Sequence, residues 1–193
     1  MSLYFLGNAR TVEQLEDMRR LDVAGVCIFC PDHLGSEQRV IHRTAQWTIT
    51  PNKFPYRGTR LHVMLLPDEH VDDMADLSPQ AQQDFWTALR WVKDHFGLTY
   101  YGMAVRNGLC EYTGGTIRHL HVHVLQGDVD DPQHQPVRVK LSSLPDSEVD
   151  PDELNLRGPQ HGVAVEDRVW AGEEAATEAG LGDEPGARRT RKR

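Results

Sequence analysis

Apolar residues recur at helical spacing in two parts of the chain. The first is residues 11–21, where every third position from 12 onward is apolar and Thr11 is a candidate N-cap. The second is residues 79–96, which follow Ser78 as a candidate N-cap and end before Gly97. The pattern therefore predicts a short amphipathic helix near the start of the chain and a longer one near its middle.

Stretches rich in β-formers lie on both sides of the longer helix. Two of them, residues 39–50 and 60–66, are separated by a turn at residues 51–58 that contains proline and glycine. The other two, residues 100–105 and 118–126, follow the helix with a glycine-bearing loop between them. This order predicts an α+β domain with a mainly antiparallel sheet.

The last predicted strand carries three histidines at alternate positions. Successive side chains of a strand point to opposite faces, so His119, His121 and His123 share one face. The apolar residues between them share the other face, which can be buried. One strand is thus expected to hold a core face and a row of imidazoles.

Phosphoryl chemistry accounts for such a row. A neutral imidazole is a good nucleophile toward phosphorus at pH 7 and also a good leaving group, which allows a covalent nucleotidyl-histidine intermediate. Neighbouring imidazoles can donate to phosphate oxygens, and the turn at residues 114–116 can present backbone amides and a hydroxyl. Purely structural histidines, or a set of metal ligands, remain the alternatives.

Three cysteines are too few for a disulfide framework. Cys27 and Cys30 are three positions apart and could form half of a metal site in a reducing compartment, whereas Cys110 reads as a small buried hydrophobe. The chain has no apolar run of membrane-spanning length and no secretory signal pattern at its start. These features predict a cytoplasmic protein without a membrane contact.

Charge is distributed unevenly around the net value of −8. Residues 146–187 contain 12 acidic side chains against two basic ones, and residues 188–193 add five basic ones. We predict a largely disordered tail over residues 146–193, acidic and then basic. The basic end could contact nucleic acid, but a solvated end is the preferred interpretation, and no globally basic surface is present.

Residues 119–125 resemble the signature of the histidine triad (HIT) family, which is His-φ-His-φ-His-φ-φ with φ apolar. The resemblance extends from about Cys27 to Leu125. Cys27–Cys30 looks like the opening of zinc-bearing members, and residues 62–70 look like their His-containing strand before the helix. Residues 52–56 are similar to the Asn-x-x-Pro-Tyr stretch of the diadenosine polyphosphate hydrolase and phosphorylase branch.

The resemblance implies a role for each matching residue. His121 would be the nucleophile, His123 would hydrogen-bond the phosphates, and His119 would complete the catalytic triad. His62 would support the site from the neighbouring strand. The nucleotide-binding residues it implies are Asn52, His62, Asn107, Gly114, Gly115 and Thr116.

The resemblance also implies a structural zinc ion held by Cys27, Cys30, His70 and His119. Two thiolates and two imidazoles suit a tetrahedral Zn²⁺ ion and leave no position for water. His33 competes for the fourth position because it lies three residues beyond Cys30. A Mg²⁺ ion could enter with the substrate.

The resemblance also implies a fold, a five-stranded antiparallel sheet with helices, and an assembly, a homodimer. Residues 1–25 would be a helical extension, 26–145 the HIT domain and 146–193 the tail. The activity would be hydrolysis or nucleotidyl transfer at the α-phosphate of dinucleoside polyphosphates or related nucleotides. Gly115 stands where the family usually has Gln, which motivates an alternative: a nucleotide-binding module with weak or no catalysis and a tail that binds partners.

Overall fold

The computed structural model describes residues 2–152, which form one antiparallel sheet with helices on both faces. The helices are α1 (Val12–Ala24), α2 (Pro31–Glu37), α3 (Pro79–His95) and α4 (Cys110–Thr113), with 3-10 turns at Leu6–Asn8 and Met74–Asp76. The strands are β1 (His42–Arg43), β2 (Trp47–Pro51), β3 (Thr59–Pro67), β4 (Gly102–Val105) and β5 (Val122–Gly127). Their order in the sheet is β1-β2-β3-β5-β4. The predicted α+β fold with five antiparallel strands is confirmed.

Two predictions fall partly or wholly beyond these residues. Most of the predicted tail, residues 153–193, lies outside the described residues, so its disorder stays a prediction, and so do the three domain boundaries. Among residues 2–152, none of the helices combines the length and apolar character needed to cross a membrane.

Helix α3 covers one face of the sheet. Its side chains bury against Val63 and Leu65 of β3 and against Trp47 of β2, and the Trp47 indole N–H donates to the Ala81 carbonyl at 2.7 Å. The helix begins where Ser78 Oγ accepts a hydrogen bond from Ala81 N, as its sequence predicts. This face holds the main hydrophobic core.

The opposite face of β3 alternates with the first and carries the chemistry. His62, Met64 and Leu66 point to this side, where Met64 and Leu66 pack with Phe29 and Cys27 of the N-terminal loop. Helix α1, capped by Thr11 as predicted, buries its apolar stripe in a separate small core beside it. The N-terminal segment therefore forms a second layer over the histidine-bearing face.

The structure corrects two strand predictions. Residues 39–50 do not form one strand, because a turn in which Thr44 N donates to Trp47 O divides them into the hairpin β1–β2. Strand β5 begins at Val122, so the prediction of a strand from residue 118 is wrong for its first four positions. Those positions have other backbone partners: residues 116–118 bond to residues 3–5, and Leu120 N donates to Val71 O at 2.6 Å.

The segment after β5 runs back across the histidine-bearing face. Its backbone comes so close that a Cβ on Gly58 would lie 2.3 Å from the Gln135 carbonyl oxygen, and one on Gly114 would lie 3.0 Å from that of Lys140. Gly58 and Gly114 also have positive φ angles of 81° and 79°. Glycine is required at both positions for this segment to lie against the domain.

We expect Leu65→Ala to lower the free energy of unfolding by about 2–5 kcal/mol, because Leu65 is fully buried in the central strand and its removal leaves a cavity. Leu144→Ala is the matched control: the same atoms are removed from a side chain that is 72% exposed, so the change should stay within about 0.5 kcal/mol. Urea unfolding followed by circular dichroism measures both, and equal losses would contradict this account of the core.

Candidate active site

The chain leading into β5 is fixed by hydrogen bonds at each of its first two histidines. His119 Nε2 lies 2.9 Å from the Pro67 carbonyl, and His121 Nδ1 lies 2.8 Å from the His119 carbonyl. A carbonyl only accepts, so both ring nitrogens carry the proton and donate it. Leu120, between them, is buried in the main core. Residues 119–121 therefore keep the predicted alternation although they precede the strand.

His121 presents its unprotonated nitrogen to a large cavity. With Nδ1 donating to the backbone, the lone pair of the neutral ring is on Nε2. The residue is only 9% exposed, yet it lines a cavity of 490 Å³, so the ring is not sealed from a ligand. Burial lowers the pKa of His121 to about 4, which leaves the imidazole neutral at pH 7. Phe29 packs edge-on against it, with ring centroids 5.3 Å apart.

His123 and His62 form a buried pair beside His121, whose ring centroid lies 4.9 Å from that of His123. His123 Nδ1 and His62 Nε2 are 2.9 Å apart, and Asn52 Nδ2 lies 3.0 Å from the same His62 nitrogen. Burial holds the pKa of both imidazoles well below the usual value. Two neutral rings and an amide thus link β2, β3 and β5 beneath the cavity.

The four predicted metal ligands come together at the other end of the histidine row. The ligand atoms of Cys27, Cys30, His70 and His119 all lie within 4.8 Å of one another. Burial, together with the neighbouring Cys27, raises the pKa of the Cys30 thiol to about 12. His33 is not part of this group. The cluster could hold a metal ion. The positive charge of such an ion would allow both neighbouring thiols to lose their protons.

The cavity wall contains much of the glycine turn. Gly114 and Thr116 line it, whereas Gly115 lies behind the wall with its carbonyl bonded to Asn8 Nδ2 at 2.7 Å. A Cβ at Gly115 would meet Cys110 Sγ at 3.0 Å, so the site has little room for the Gln that the family usually has there.

The two asparagines expected to bind nucleotide are treated differently by the fold. Asn52, to which the resemblance gave a nucleotide contact, lines the cavity. Asn107 is exposed, its Oδ1 accepts a hydrogen bond from Met74 N, and it is not among the residues that line the cavity. The structure therefore gives Asn107 a loop-fixing contact and brings its neighbour Arg106 to the site instead.

Several residues at the site were not predicted. Arg106 Nη1 lies 3.0 Å from His123 Nε2, and its Nη2 donates to the Tyr56 hydroxyl at 2.9 Å. The Arg10 guanidinium lies 4.7 Å from the Tyr56 ring centroid. Tyr56 ends the Asn-x-x-Pro-Tyr stretch but was given no role, and neither arginine stands in a motif that could have indicated it.

The cavity is strongly basic in a chain that is acidic overall. Within residues 2–152, its lining contains six cationic side chains and only Asp17 as an anion; the cations are Arg10, Lys53, Arg57, Arg106, Arg138 and Lys140. Asp17 itself pairs with Lys53 at 2.5 Å. An apolar part, which includes Met18, Leu21 and Phe29, faces these charges. The cavity thus combines an apolar wall with a surplus of positive charge.

Comparison with known proteins agrees with this geometry. The family model for the HIT domain matches residues 35–130. No curated protein matches the chain.

Three solved structures illustrate the likeness. A HIT family hydrolase from Clostridium thermocellum is 23% identical over 58% of this chain and 96% of its own, with a TM-score of 0.45. A hypothetical histidine triad nucleotide-binding protein from Sulfolobus tokodaii is 16% identical over 83% of this chain and 100% of its own, with a TM-score of 0.48. A zinc-bound histidine triad family protein from Mycobacterium smegmatis is 15% identical over 77% and 96%, with a TM-score of 0.43.

These structural likenesses are distant, so the assignment depends on the family model and on the histidines themselves. The matched residues contain all three histidines of the row together with His62 and His70. The chain belongs to the histidine triad family, and its HIT domain lies within residues 35–130.

Proposed function

We propose that the protein is a nucleotide hydrolase or nucleotidyl transferase that forms a covalent intermediate on His121. The observation that carries this proposal is the hydrogen bond that His121 Nδ1 donates to the carbonyl oxygen of His119. This bond leaves Nε2 unprotonated at the wall of the basic cavity. A neutral, oriented imidazole in a site that attracts anions has the properties of a nucleophile toward phosphorus.

The proposed reaction has two displacements. His121 Nε2 donates its electron pair to the α-phosphorus, and the bond from phosphorus to the bridging oxygen breaks, so that the pair on that oxygen leaves with the departing phosphate chain. Water or inorganic phosphate then attacks the nucleotidyl-histidine, and the nitrogen–phosphorus bond breaks with its electron pair returning to Nε2. When water attacks, its proton is released to solvent. The hydrogen bond to His119 O stabilises the positive charge that His121 carries in between.

Dinucleoside polyphosphates are the substrate class that we propose. The cavity volume of 490 Å³ is within the range of small-molecule sites. Six cationic side chains suit a chain of several phosphates better than a single one, and the apolar wall suits a nucleobase. The likeness of residues 52–56 to the diadenosine polyphosphate branch also favours this class.

His121→Asn should abolish turnover of diadenosine tetraphosphate and keep the fold, because the amide nitrogen has no lone pair to donate to phosphorus. His95→Asn on α3 is the matched control and should keep full activity. Chromatography of AMP, ADP and ATP, with and without inorganic phosphate, measures turnover and identifies the second acceptor. Unreduced activity in His121→Asn would refute the covalent mechanism.

The alternative is a nucleotide-binding module with weak or no catalysis, whose tail binds partners. The packing of Gly115 against Cys110, which leaves little room for a Gln side chain, is the observation that favours it. The same assay decides between the two: nucleotide binding without product release by the wild-type protein supports the module.

We also propose that the Cys–Cys–His–His cluster holds a structural zinc ion. Around a tetrahedral Zn²⁺ with usual bond lengths, two nitrogens lie about 3.3 Å apart and a nitrogen and a sulfur about 3.6 Å apart. His70 Nδ1 and His119 Nδ1 are 3.3 Å apart, and His119 Nδ1 lies 3.5 Å and 3.7 Å from the sulfurs of Cys27 and Cys30. The donor set fits, and the ion would anchor the N-terminal loop to the domain.

A reducing compartment and a Mg²⁺ ion bound with the substrate also belong to this proposal. Thiolate ligands need a reducing compartment, which agrees with the predicted cytoplasmic location. Mg²⁺ would arrive bound to the substrate's phosphates, because Asp17, the one carboxylate of the cavity wall in the described part of the chain, already pairs with Lys53. Both points stay predictions.

Cys27→Ser and Cys30→Ser should each lower the zinc content below one ion per chain and reduce thermal stability, because a hydroxyl replaces a thiolate ligand. Cys110→Ser is the matched control, since that cysteine lies outside the cluster and should leave the zinc content at one. His33→Ala should also keep the ion. Atomic emission analysis and thermal unfolding measure these effects, and full zinc in both cluster variants would refute the site.

A homodimer through strand β4 is the assembly that we propose. This strand lies at the edge of the sheet, so part of its backbone is unpaired. Apolar side chains at and near this edge are exposed: Tyr100 by 44%, Met103 by 48%, Leu109 by 43% and Tyr112 by 57%. An apolar edge of this kind is suited to pairing with a second copy.

Met103→Lys should shift the protein to a monomer, because the ammonium groups of two opposing edges would repel and would lose water. Val23→Lys, at a position on α1 that is 92% exposed, introduces the same charge elsewhere and should keep the oligomeric state. Size-exclusion chromatography with light scattering measures the mass. A wild-type monomer, or a Met103→Lys dimer, would contradict the proposed edge.

A further inference from the structure

Two arginines from distant parts of the chain converge on one tyrosine beside the histidine pair. Arg10, from the N-terminal segment, lies over the Tyr56 ring at 4.7 Å, and Arg106, after β4, donates to the Tyr56 hydroxyl at 2.9 Å. Both arginines line the same cavity as His121 and His123. The two guanidinium groups therefore flank the position where a substrate's phosphates would lie.

Neither arginine has a carboxylate partner among residues 2–152. The Arg10 guanidinium donates to the Phe54 carbonyl, and that of Arg106 donates to the Lys140 carbonyl and the Tyr56 hydroxyl. Burial lowers the pKa of Arg10, and the charge of Arg106 lowers it further. A guanidinium stays protonated regardless, so the fold holds two cations without an anion.

The hydrogen-bond network beside them also has too many donors. Two neutral imidazoles, His62 and His123, offer two N–H groups and two lone pairs, and the contact between them uses one of each. One lone pair then remains for three outside donors: Tyr56 N, Asn52 Nδ2 and Arg106 Nη1. This count is the same for every choice of tautomer. At least two of the three donors therefore lack a lone pair of their own.

Part of this surplus can be relieved on the cavity side. Tyr56 N belongs to the backbone, and the Asn52 amide is held by the hydrogen bond that its Oδ1 accepts from Phe54 N at 2.8 Å, so neither can turn away. Arg106 lies at the cavity wall, 3.0 Å from His123 Nε2. An acceptor oxygen entering from the cavity can take a hydrogen bond from Arg106 and, in the tautomer with the proton on Nε2, one from His123. Charge-assisted bonds of this kind are short and strong.

We propose that Arg10, Arg106 and His123 form a second phosphate-binding subsite. It adjoins the position of the α-phosphate that His121 attacks. This inference rests on the proposed function. The subsite would bind either the phosphate next to the α-phosphate in the leaving group or the inorganic phosphate that acts as second acceptor. In both cases the ligand is a phosphate group with at least two free oxygens. Arg106 would supply the phosphate contact that no side chain at position 115 can make, because Cys110 leaves little room for one beside Gly115.

Binding to the His121→Asn protein, full-length and zinc-loaded, tests this subsite without turnover. One arm compares ADP with AMP by titration calorimetry, and the other titrates inorganic phosphate into protein already holding AMP. Arg106→Gln and Arg10→Gln should each lower the gain in affinity from the extra phosphate by about ten- to hundredfold. Arg90→Gln, exposed on α3, is the matched control and should change nothing.

Each outcome of these arms has a defined meaning. Loss confined to ADP assigns the subsite to the leaving group, loss confined to inorganic phosphate assigns it to the second acceptor, and loss in both means that one subsite serves the two in turn. Arg106→Lys should recover part of the affinity, since it keeps the charge without the planar fork. Unchanged affinities in both arms for both Gln variants would overturn the inference, even if His121→Asn has abolished turnover.

Discussion

The hydrogen bond from His121 Nδ1 to the His119 carbonyl is the interaction on which the site depends. It exists because residues 119–121 are extended, and they are held so by the burial of Leu120 and by its backbone bond to Val71. The same His119 turns its ring toward the two cysteines and donates to Pro67 O. One residue thus fixes the tautomer of His121 with its backbone and joins the Cys–Cys–His–His cluster with its side chain, so a disturbance of either is transmitted to the other.

The HIT domain alone does not enclose the cavity. The family model covers residues 35–130, but the wall includes residues of the N-terminal segment and of the segment after β5. Both are attached by specific bonds: Arg118 N donates to Leu3 O, and Lys140 Nζ donates to Asn8 Oδ1 at 2.8 Å. The apolar wall comes largely from the first of these segments. The shape and charge of the cavity therefore depend in part on segments that flank the matched domain.

The sequence was sufficient for features that repeat with a local period or a fixed spacing. The alternation around His121, the two cysteines and the caps of α1 and α3 are of this kind, and the structure has them where they were expected. The start of β5 could not be predicted, because it depends on which distant backbone bonds to residues 116–120. Arg106 was missed for a similar reason: its partners are Tyr56 and His123, and only the fold selects it over the adjacent Asn107.

The origin of the cavity's charge also determines how the site behaves with pH. Burial lowers the pKa values of His62, His121 and His123, so these rings are neutral at pH 7 and contribute lone pairs and hydrogen bonds rather than charge. The positive potential comes from arginines and lysines, which remain protonated well above neutrality. The chain has a net charge of −8, yet the cavity wall carries a surplus of cationic side chains, which favours anions there. Because this charge comes from arginines and lysines, the imidazoles can stay neutral in a site that is positively charged.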